Sequence, residues 1–465
     1  MGSEIDMKKA DIAHAKVLVI GAGVTGSSVA QILRSLGSEI HIFDDNQKVN
    51  ADERFISLES ALVEDWSFAV VSPGWRQDHP LTAHLIKQGT KVLSEVDLAW
   101  LLRSELLPLQ TWLAVTGTNG KTTTVELATA MLLAGGLKAK ACGNVGETVI
   151  EAVINADRMD YLVLELSSFQ LQWSGLPEFK SVAILNIADD HVDWHGSFEN
   201  YVAAKMRILD RADLAILNGD DSRTVEEVEK WRGRKVFFSL NSPKPGELGL
   251  VDDLLVDRAF VLDSNEAELI AQLDEVHPRA PHSISNTLAA AGLARSVGVS
   301  HQMIRQAVQN FIPGRHRIET VMESEGITWV NDSKATNPHS ASASLASYPS
   351  IVWIAGGLAK GASMTDLVRR SRGHIKAAIL IGQDRELIAT ALSEESPEIP
   401  YLRADEDPTG AQTLMERVVL EAKKIAKAGD VVLLAPACAS MDQFISYADR
   451  GDQFTAAVQK LVGPI

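Results

Sequence analysis

Two cysteines in 465 residues, Cys142 and Cys438, make neither a disulfide framework nor a cysteine-based zinc site, so a reducing compartment is the expected setting. Excess positive charge is also missing. With 44 Lys and Arg against 61 Asp and Glu, the formal charge is −17, and nucleic acid or an anionic membrane would be repelled. A local basic pocket for phosphates is still allowed, because net charge says nothing about one cleft. No apolar run is long enough to cross a bilayer. The first strongly apolar run, residues 17–20, leads straight into glycines with no small-residue cleavage site, which argues against a secretory signal. Met1-Gly2 opens like a myristoylation signal, but Asp6 stands where Ser or Thr is required. These absences lead us to expect a cytoplasmic, soluble chain with no nucleic-acid partner and no membrane insertion.

What is present is alternation. Short apolar runs alternate with longer helical patterns nearly throughout, the mark of α/β units with mostly parallel sheets, and the length predicts about three domains. Residues 16–20, a glycine turn, 25–36 and 39–43 read as strand, turn, helix and strand. Further strands are expected at 69–72 and 91–93, with a helix at 95–107 ending before Pro108. A second block opens with strand 111–116, a glycine loop and a helix to about Ala134, followed by strands at 161–166, 182–186 and 214–218. The stretch 243–263 turns short and irregular, as a small antiparallel insert would, before helices at 285–297 and 301–310. After Pro313-Gly314 come strands at 328–331, 351–355, 377–381 and 431–435, with a helix over 411–428 that Gly429 is placed to end. The expected domains are therefore 1–107, Rossmann-like; 108–313, a central P-loop ATPase-type domain; and 314–465, a second Rossmann-like α/β domain. No fixed-period repeat or low-complexity tract interrupts them.

Gly21-Ala22-Gly23-Val24-Thr25-Gly26 fits G-x-G-x-x-G at a strand–helix junction, where glycines let the backbone approach a diphosphate. Asp44 ends the next strand, where an acid would meet a ribose hydroxyl. A nicotinamide, a flavin and a UDP-linked ligand would all suit this geometry, and so would a bare tight turn. The motif places a diphosphate site without naming its occupant.

Gly117-Thr118-Asn119-Gly120-Lys121-Thr122 is more decisive. It follows an apolar strand and opens a helix, so its N–H groups can cradle phosphate, Lys121 can neutralise the outer phosphates and Thr122 can reach Mg²⁺. The loop is a shortened variant, since the full pattern would want glycine at Val115. A dehydrogenase has no use for a second, Mg²⁺-dependent phosphate site, which moves the first glycine turn towards a nucleotide-sugar binder. Glu165 ends an apolar strand in Leu164-Glu165-Leu166-Ser167-Ser168-Phe169-Gln170, and His191 closes Asn186-Ile187-Ala188-Asp189-Asp190-His191. Each alone reads as an ordinary solvated or hydrogen-bonded strand-end residue. Two polar strand ends at the edge that bears a phosphate loop carry more weight.

These three motifs together resemble the Mur ligases of peptidoglycan synthesis. Arg315-His316-Arg317 is similar to the family's arginine motif. Residues 329–338 (Trp-Val-Asn-Asp-Ser-Lys-Ala-Thr-Asn-Pro) and 434–444 (Leu-Ala-Pro-Ala-Cys-Ala-Ser-Met-Asp-Gln-Phe) resemble its D-glutamate-adding branch. The resemblance implies an ATP- and Mg²⁺-dependent ligase that activates a muramoyl-alanine carboxylate as an acyl phosphate and couples it to D-glutamate. By the same carry-over, Gly117, Thr118, Asn119, Gly120, Lys121, Thr122 and Thr123 would hold ATP phosphates, with Asn286, Arg317 and Asp332 completing the nucleotide site. Thr122, Glu165 and His191 would serve the metal, joined by Lys205, whose counterpart in the family is carbamylated by CO₂. On the residues alone Lys205 is an ordinary helix lysine. Asn144 would contact the muramoyl substrate, and UDP would rest on Val24, Thr25, Asp44, Ser72 and Gly74. Lys334, Thr336, Lys360, Ser440 and Tyr447 would surround D-glutamate. Partners would be small molecules; oligomeric state is not set by the sequence, and a monomer is admissible.

Three positions depart from the family pattern. Ser283 stands where Asn is usual after His282, although Asn286 is kept. The turn before Lys360 reads Gly356-Gly357-Leu358-Ala359 without the Asp-Gly of some members, and Tyr447 replaces an expected Phe. The alternatives are another amino-acid ligase of the same family and a dinucleotide-dependent dehydrogenase. The diamino-acid branch's Asp-Asn-Pro-Arg motif is missing, a folate ligase would not need the first glycine turn, and a dehydrogenase would leave Lys121 without a task.

Overall fold

The computed structural model describes residues 9–46, 54–263, 265–405 and 410–463. The Met1-Gly2 pair and Asp6 lie outside them. The fold is α/β with three sheets. The chain forms two compact units. One takes the described residues up to 187 with 197–276 and 284–311; the other takes 188–196, 277–283 and the residues from 312 onward.

In the first unit, β1 (Lys16–Ile20), β2 (Glu39–Phe43), β3 (Phe68–Val71) and β4 (Val92–Ser94) form a parallel sheet in the order β2-β1-β3-β4. The apolar runs of the two central strands, β1 and β3, fit strands covered on both faces. The strand order reverses around β1, so the glycine turn after it lies at a switch point of the sheet.

Helix Glu95–Leu106 fastens this sheet to the next. Ser94 and Asp97 close a capping box at its start. The acids of that first turn also reach across: Glu95 Oε1 accepts the Ile150 N–H at 2.6 Å, and Asp97 Oδ1 accepts those of Gly175 and Leu176 at 2.9 Å each. Ser28 with Thr148 and Ser94 with Ser174 add hydroxyl pairs at 3.0 Å. Burial pushes Glu95 up to about 7, opposed by its main-chain donors and reinforced by Glu151 and Asp97. A raised carboxyl binds its proton more tightly in the folded state, so its ionisation costs stability as pH rises from about 4.5 through 7. Relative to Glu95→Gln, the wild type should lose on the order of 3 kcal/mol between about pH 4 and pH 8. Denaturant midpoints of the two proteins across that range measure it. Parallel curves would mean the carboxyl does not titrate there.

The second sheet has nine strands: β5 (Thr111–Thr116), β6 (Ala139–Gly143), β7 (Tyr161–Glu165), β8 (Ser181–Ile184), β9 (Leu214–Asn218), β10 (Arg234–Phe238), β11 (Glu247–Val251), β12 (Leu254–Asp257) and β13 (Glu268–Gln272). Their order is β13-β12-β11-β10-β9-β8-β5-β7-β6. The irregular stretch expected as an insert is instead the edge of this sheet. β11 pairs parallel with β10, and antiparallel β12 and β13 follow it. That continuation buries Phe238, Leu248 and Leu255 completely. β5 lies between β8 and β7, so the phosphate loop leaves the sheet where its order reverses.

The second unit holds β14 (Glu319–Ser324), β15 (Ile327–Asn331), β16 (Ile351–Gly356), β17 (Ile375–Ile381), β18 (Tyr401–Arg403) and β19 (Val431–Leu434), ordered β14-β15-β19-β16-β17-β18. All pairs are parallel except β14 with β15. The helix expected over 411–428 is Leu414–Ile425, started by a Thr413–Glu416 capping box. It ends at Ala426 in extended backbone, so Gly429 is not its cap. Gly429, at φ +93°, turns the chain into β19 and donates its N–H to Gly326 O at 2.8 Å.

Candidate functional site

At the carboxyl edge of the first sheet, the glycine turn is shaped by close approach. A Cβ on Gly26 would lie 1.7 Å from Gly21 O, whereas one on Gly23 would meet nothing within 4 Å. Asp44 Oδ2 accepts the Ala22 N–H at 2.7 Å, so the expected ribose acid also braces the turn. Val24 and Thr25 open helix Val24–Ser35, and Val24 is 77% exposed. Ser72 and Gly74 follow β3, with Ser72 Oγ 3.5 Å from Gly21 O. All five expected UDP residues therefore sit at one sheet edge. Trp75, next to them, accepts Trp173 Nε1–H on its carbonyl at 2.8 Å, a link the sequence reading did not anticipate.

The phosphate loop is held by its surroundings. Gly120 adopts φ +85°, and a Cβ there would come 2.4 Å from Asn286 Oδ1, so Asn286 does lie against the loop. Asn186 pairs with the Asn119 main chain, accepting its N–H at 2.8 Å and donating to its carbonyl at 3.1 Å. Lys121 opens helix Lys121–Ala134 and folds back to donate to Gly117 O and Thr118 O, both at 3.0 Å. Tyr201, which sequence reasoning passed over as a helix residue, puts its hydroxyl 2.8 Å from Thr118 Oγ1. Lys205, four residues on in helix Phe198–Met206, is 2% exposed. It donates to Gly117 O at 2.7 Å and lies 4.7 Å from the Tyr201 ring centre. It is thus packed beneath the loop rather than solvated.

Glu165 ends β7, registered with Val115 on β5. It is 3% exposed, and Asn144 Nδ2 donates to its Oε1 at 2.9 Å. Its Oε2 is buried with no hydrogen-bond partner among the described residues. Such an oxygen costs stability unless something completes it, and Mg²⁺ takes oxygen ligands. Among the described residues no group of three or more His, Cys, Asp or Glu could hold a metal, so an ion here would rely on Glu165, the Thr122 hydroxyl and phosphate oxygens. The donor set fits Mg²⁺ and not a protein-caged transition metal. Thr123 is the next residue of the helix. His191 belongs to the second unit, at φ +52° ahead of helix Val192–His195, with Asp190 3.7 Å from its Nε2.

In the second unit, Asp332 follows β15 and accepts from Ile318 N–H at 3.2 Å and from Ser344 Oγ. Burial pushes it up to about 6, with Ser344, Ile318 and the charge of Arg317 opposing. Lys334 Nζ lies 3.9 Å from the Tyr447 ring centre. A Phe would present the same face, so the Tyr at this position keeps a cation–π contact. Thr336 donates its N–H to Lys334 O at 2.9 Å. Ser440 is buried, and Lys360, exposed, takes φ +51°. Ser283 donates its N–H to Ala280 O at 2.9 Å. Arg450 carried no sequence signal, yet it is fully buried. It donates to Ser333 Oγ and Ser333 O at 2.9 Å and to Cys438 O at 3.2 Å, and burial lowers it to about 10. It thereby ties the end of β15 to the loop after β19.

A Rossmann-like sheet, a P-loop sheet with one partnerless carboxylate oxygen among the described residues, and a third α/β sheet fit a nucleotide-dependent ligase. Two family models agree: Mur ligase middle domain over residues 115–294, and Mur ligase, glutamate ligase domain over 316–438. A third, alanine dehydrogenase/PNT C-terminal domain, matches residues 2–66, in keeping with the dinucleotide-type turn. The chain belongs to the Mur ligase family and is an ATP-dependent amide-bond-forming enzyme, which removes the dehydrogenase alternative. It is 44% identical to a UDP-N-acetylmuramoylalanine–D-glutamate ligase from Streptomyces avermitilis, over 96% of this chain and 98% of that one. The enzyme of the same name from Thermobifida fusca is 44% identical over 96% of this chain and 99% of its own. The crystal structure of a MurF ligase from Thermotoga maritima with ADP shares the fold at a TM-score of 0.60 and 17% identity, covering 98% of this chain and 96% of that one. No helix among the described residues is long and apolar enough to cross a membrane.

Proposed function

We propose that this chain adds D-glutamate to UDP-N-acetylmuramoyl-L-alanine in the cytoplasm, a step in peptidoglycan precursor synthesis that supports cell-wall growth, shape and division. The observation that carries the reading is the near full-length likeness to relatives of that name. The UDP portion would be bound by the first sheet, residues 1–107; ATP phosphates by the P-loop domain, 108–313; and the amino acid by the domain at 314–465. A carboxylate is a poor electrophile, so ATP first converts it to an acyl phosphate, releasing ADP. The neutral amine of D-glutamate then attacks and phosphate leaves. Lys121 and the loop N–H groups spread the charge of the transferring phosphoryl group. Mg²⁺, when bound, would neutralise phosphate oxygens, with Thr122, Glu165 and Lys205 as a carbamate holding it; His191 enters on its motif alone. Lys334 and Lys360 match the two carboxylates of glutamate, with Ser440, Thr336 and Tyr447 beside them. Asn144 would position the muramoyl substrate, and Arg317 and Asp332 would serve the nucleotide. The proposed partners are small molecules, and one chain supplies every residue named, so a monomer suffices.

Phosphate release should require Mg²⁺, UDP-N-acetylmuramoyl-L-alanine and D-glutamate together, with D-glutamate preferred over L-glutamate by at least about 100-fold in kcat/KM. A coupled ADP-release assay testing each amino acid checks this. Equal use of L-glutamate, or turnover of a diamino acid instead, would assign the chain to a different branch.

A further inference from the structure

The loop that presents Lys360 is gripped from three sides. Gly356 and Gly357 take φ +119° and +136°, and neither has room for a side chain: a Cβ would lie 1.9 Å from Ile381 O at the first and 2.1 Å from Ala439 O at the second. Leu358 and Ala439 then form a two-way bridge, each donating its N–H to the other's carbonyl at 2.9 Å. Only the main chain of Leu358 makes this bridge, so its departure from the family pattern leaves the bridge intact. The bridge holds the Lys360 loop beside the residue that precedes Ser440. The next N–H, that of Ala359, is donated to Asp384 Oδ2 at 2.8 Å, and Asp384 N–H is donated back to Gly357 O at 3.0 Å.

Asp384 occupies the N-cap position of helix Arg385–Glu395, yet its side chain makes no capping bond to that helix. An N-cap aspartate ordinarily accepts an N–H from its own first turn. This one is spent on another loop. Behind it, Asp442 Oδ2 accepts the Gln383 N–H at 2.8 Å, fixing the residue before Asp384. Lys360 follows directly, in the left-handed region at φ +51°, which a non-glycine residue keeps only where its surroundings impose it.

We propose that Asp384 is a positioning residue for amino-acid recognition: by latching the Ala359 N–H it holds Lys360 in its left-handed conformation, ready for a carboxylate of the incoming amino acid. The proposal rests on the D-glutamate reading for the identity of that carboxylate, but not for the latch itself. Asp384 touches no reacting atom. Its loss should weaken amino-acid binding and spare the phosphoryl chemistry of the first unit.

The test compares Asp384→Ala with Asp384→Asn. The alanine variant should raise KM for D-glutamate by about tenfold or more, with kcat within about threefold and the KM values for ATP and the UDP substrate within about twofold. Asparagine keeps an oxygen for the Ala359 N–H, so it should recover most of the loss. Hydrogen exchange should show the Ala359 amide opening faster in the alanine variant of the full chain. A general fall in kcat with no selective change in KM, or asparagine no better than alanine, would overturn the proposal. Unchanged exchange at Ala359 in a folded alanine variant would overturn the latch whatever the substrate is. Accelerated exchange in a chain that turns over no glutamate would sustain the latch and remove only the D-glutamate reading.

Discussion

Lys121→Ala should abolish turnover, by about 10³-fold or more, while the UDP-linked substrate still binds with near wild-type affinity. Lys121 leaves β5 of the second sheet, whereas the residues proposed for UDP stand at the edge of the first. Its ammonium donates to carbonyls of its own loop, Gly117 O and Thr118 O, so truncation removes charge at the phosphates, on a different sheet from the glycine turn at Gly21–Gly26. The two losses should therefore separate. Steady-state ADP release and calorimetry with UDP-N-acetylmuramoyl-L-alanine measure each. A folded variant that no longer binds the UDP substrate would show that the two sites have been misassigned.

Lys205→Gln is the second large effect. The amine is 2% exposed and donates to Gly117 O, beneath the phosphate loop. A glutamine amide can make the same donation, so the packing role of Lys205 should survive and the variant should fold. What glutamine cannot do is take up CO₂. A carbamate replaces a cation, which would repel Mg²⁺, with an oxygen-bearing anion that can ligate it. Turnover should fall by about 100-fold or more with little change in thermal midpoint. Carbon NMR of native protein in labelled bicarbonate should show a carbamate resonance that the variant lacks. Wild-type turnover in the variant, or no such resonance at saturating bicarbonate, would reduce Lys205 to a structural lysine.

Much of the architecture was legible because parallel strands buried on both faces print as unbroken apolar runs. β1, β2, β5 and β9 coincide with their expected spans. The strands β6, β10, β14 and β18 were not foreseen; β6, β14 and β18 are sheet edges, and β10 lies one place in from the β11–β13 extension. Lys140 of β6 and Glu319 and Glu323 of β14 interrupt their runs, as half-exposed edges allow, and Arg234 and Lys235 do the same at the exposed start of β10. The glycine loops were readable because Gly26 and Gly120 leave no space for a Cβ, a constraint that fixes the residue type. Tyr201, Asp384 and Arg450 were not, since each acts through partners distant in sequence and sits in an ordinary helical or turn context. Lys205 drew attention through resemblance alone. Its burial beneath the phosphate loop depends on a fold that local sequence does not encode.

The joint between the first two sheets has a consequence for how the chain can drift. Glu95 and Asp97 read main-chain N–H groups, those of Ile150, Gly175 and Leu176, and no side chain on the far side. Every amino acid except proline offers that N–H. For these three bonds the two sides need not co-vary: one must keep its acids, while the bonds outlast an exchange of side chain opposite so long as the backbone path is preserved. The Ser28–Thr148 and Ser94–Ser174 pairs differ, since they need a side chain on both sides. At Gly175 and Leu176, which are not buried, ancestry should be recorded asymmetrically, with a fixed acid at Asp97 and shifting letters opposite.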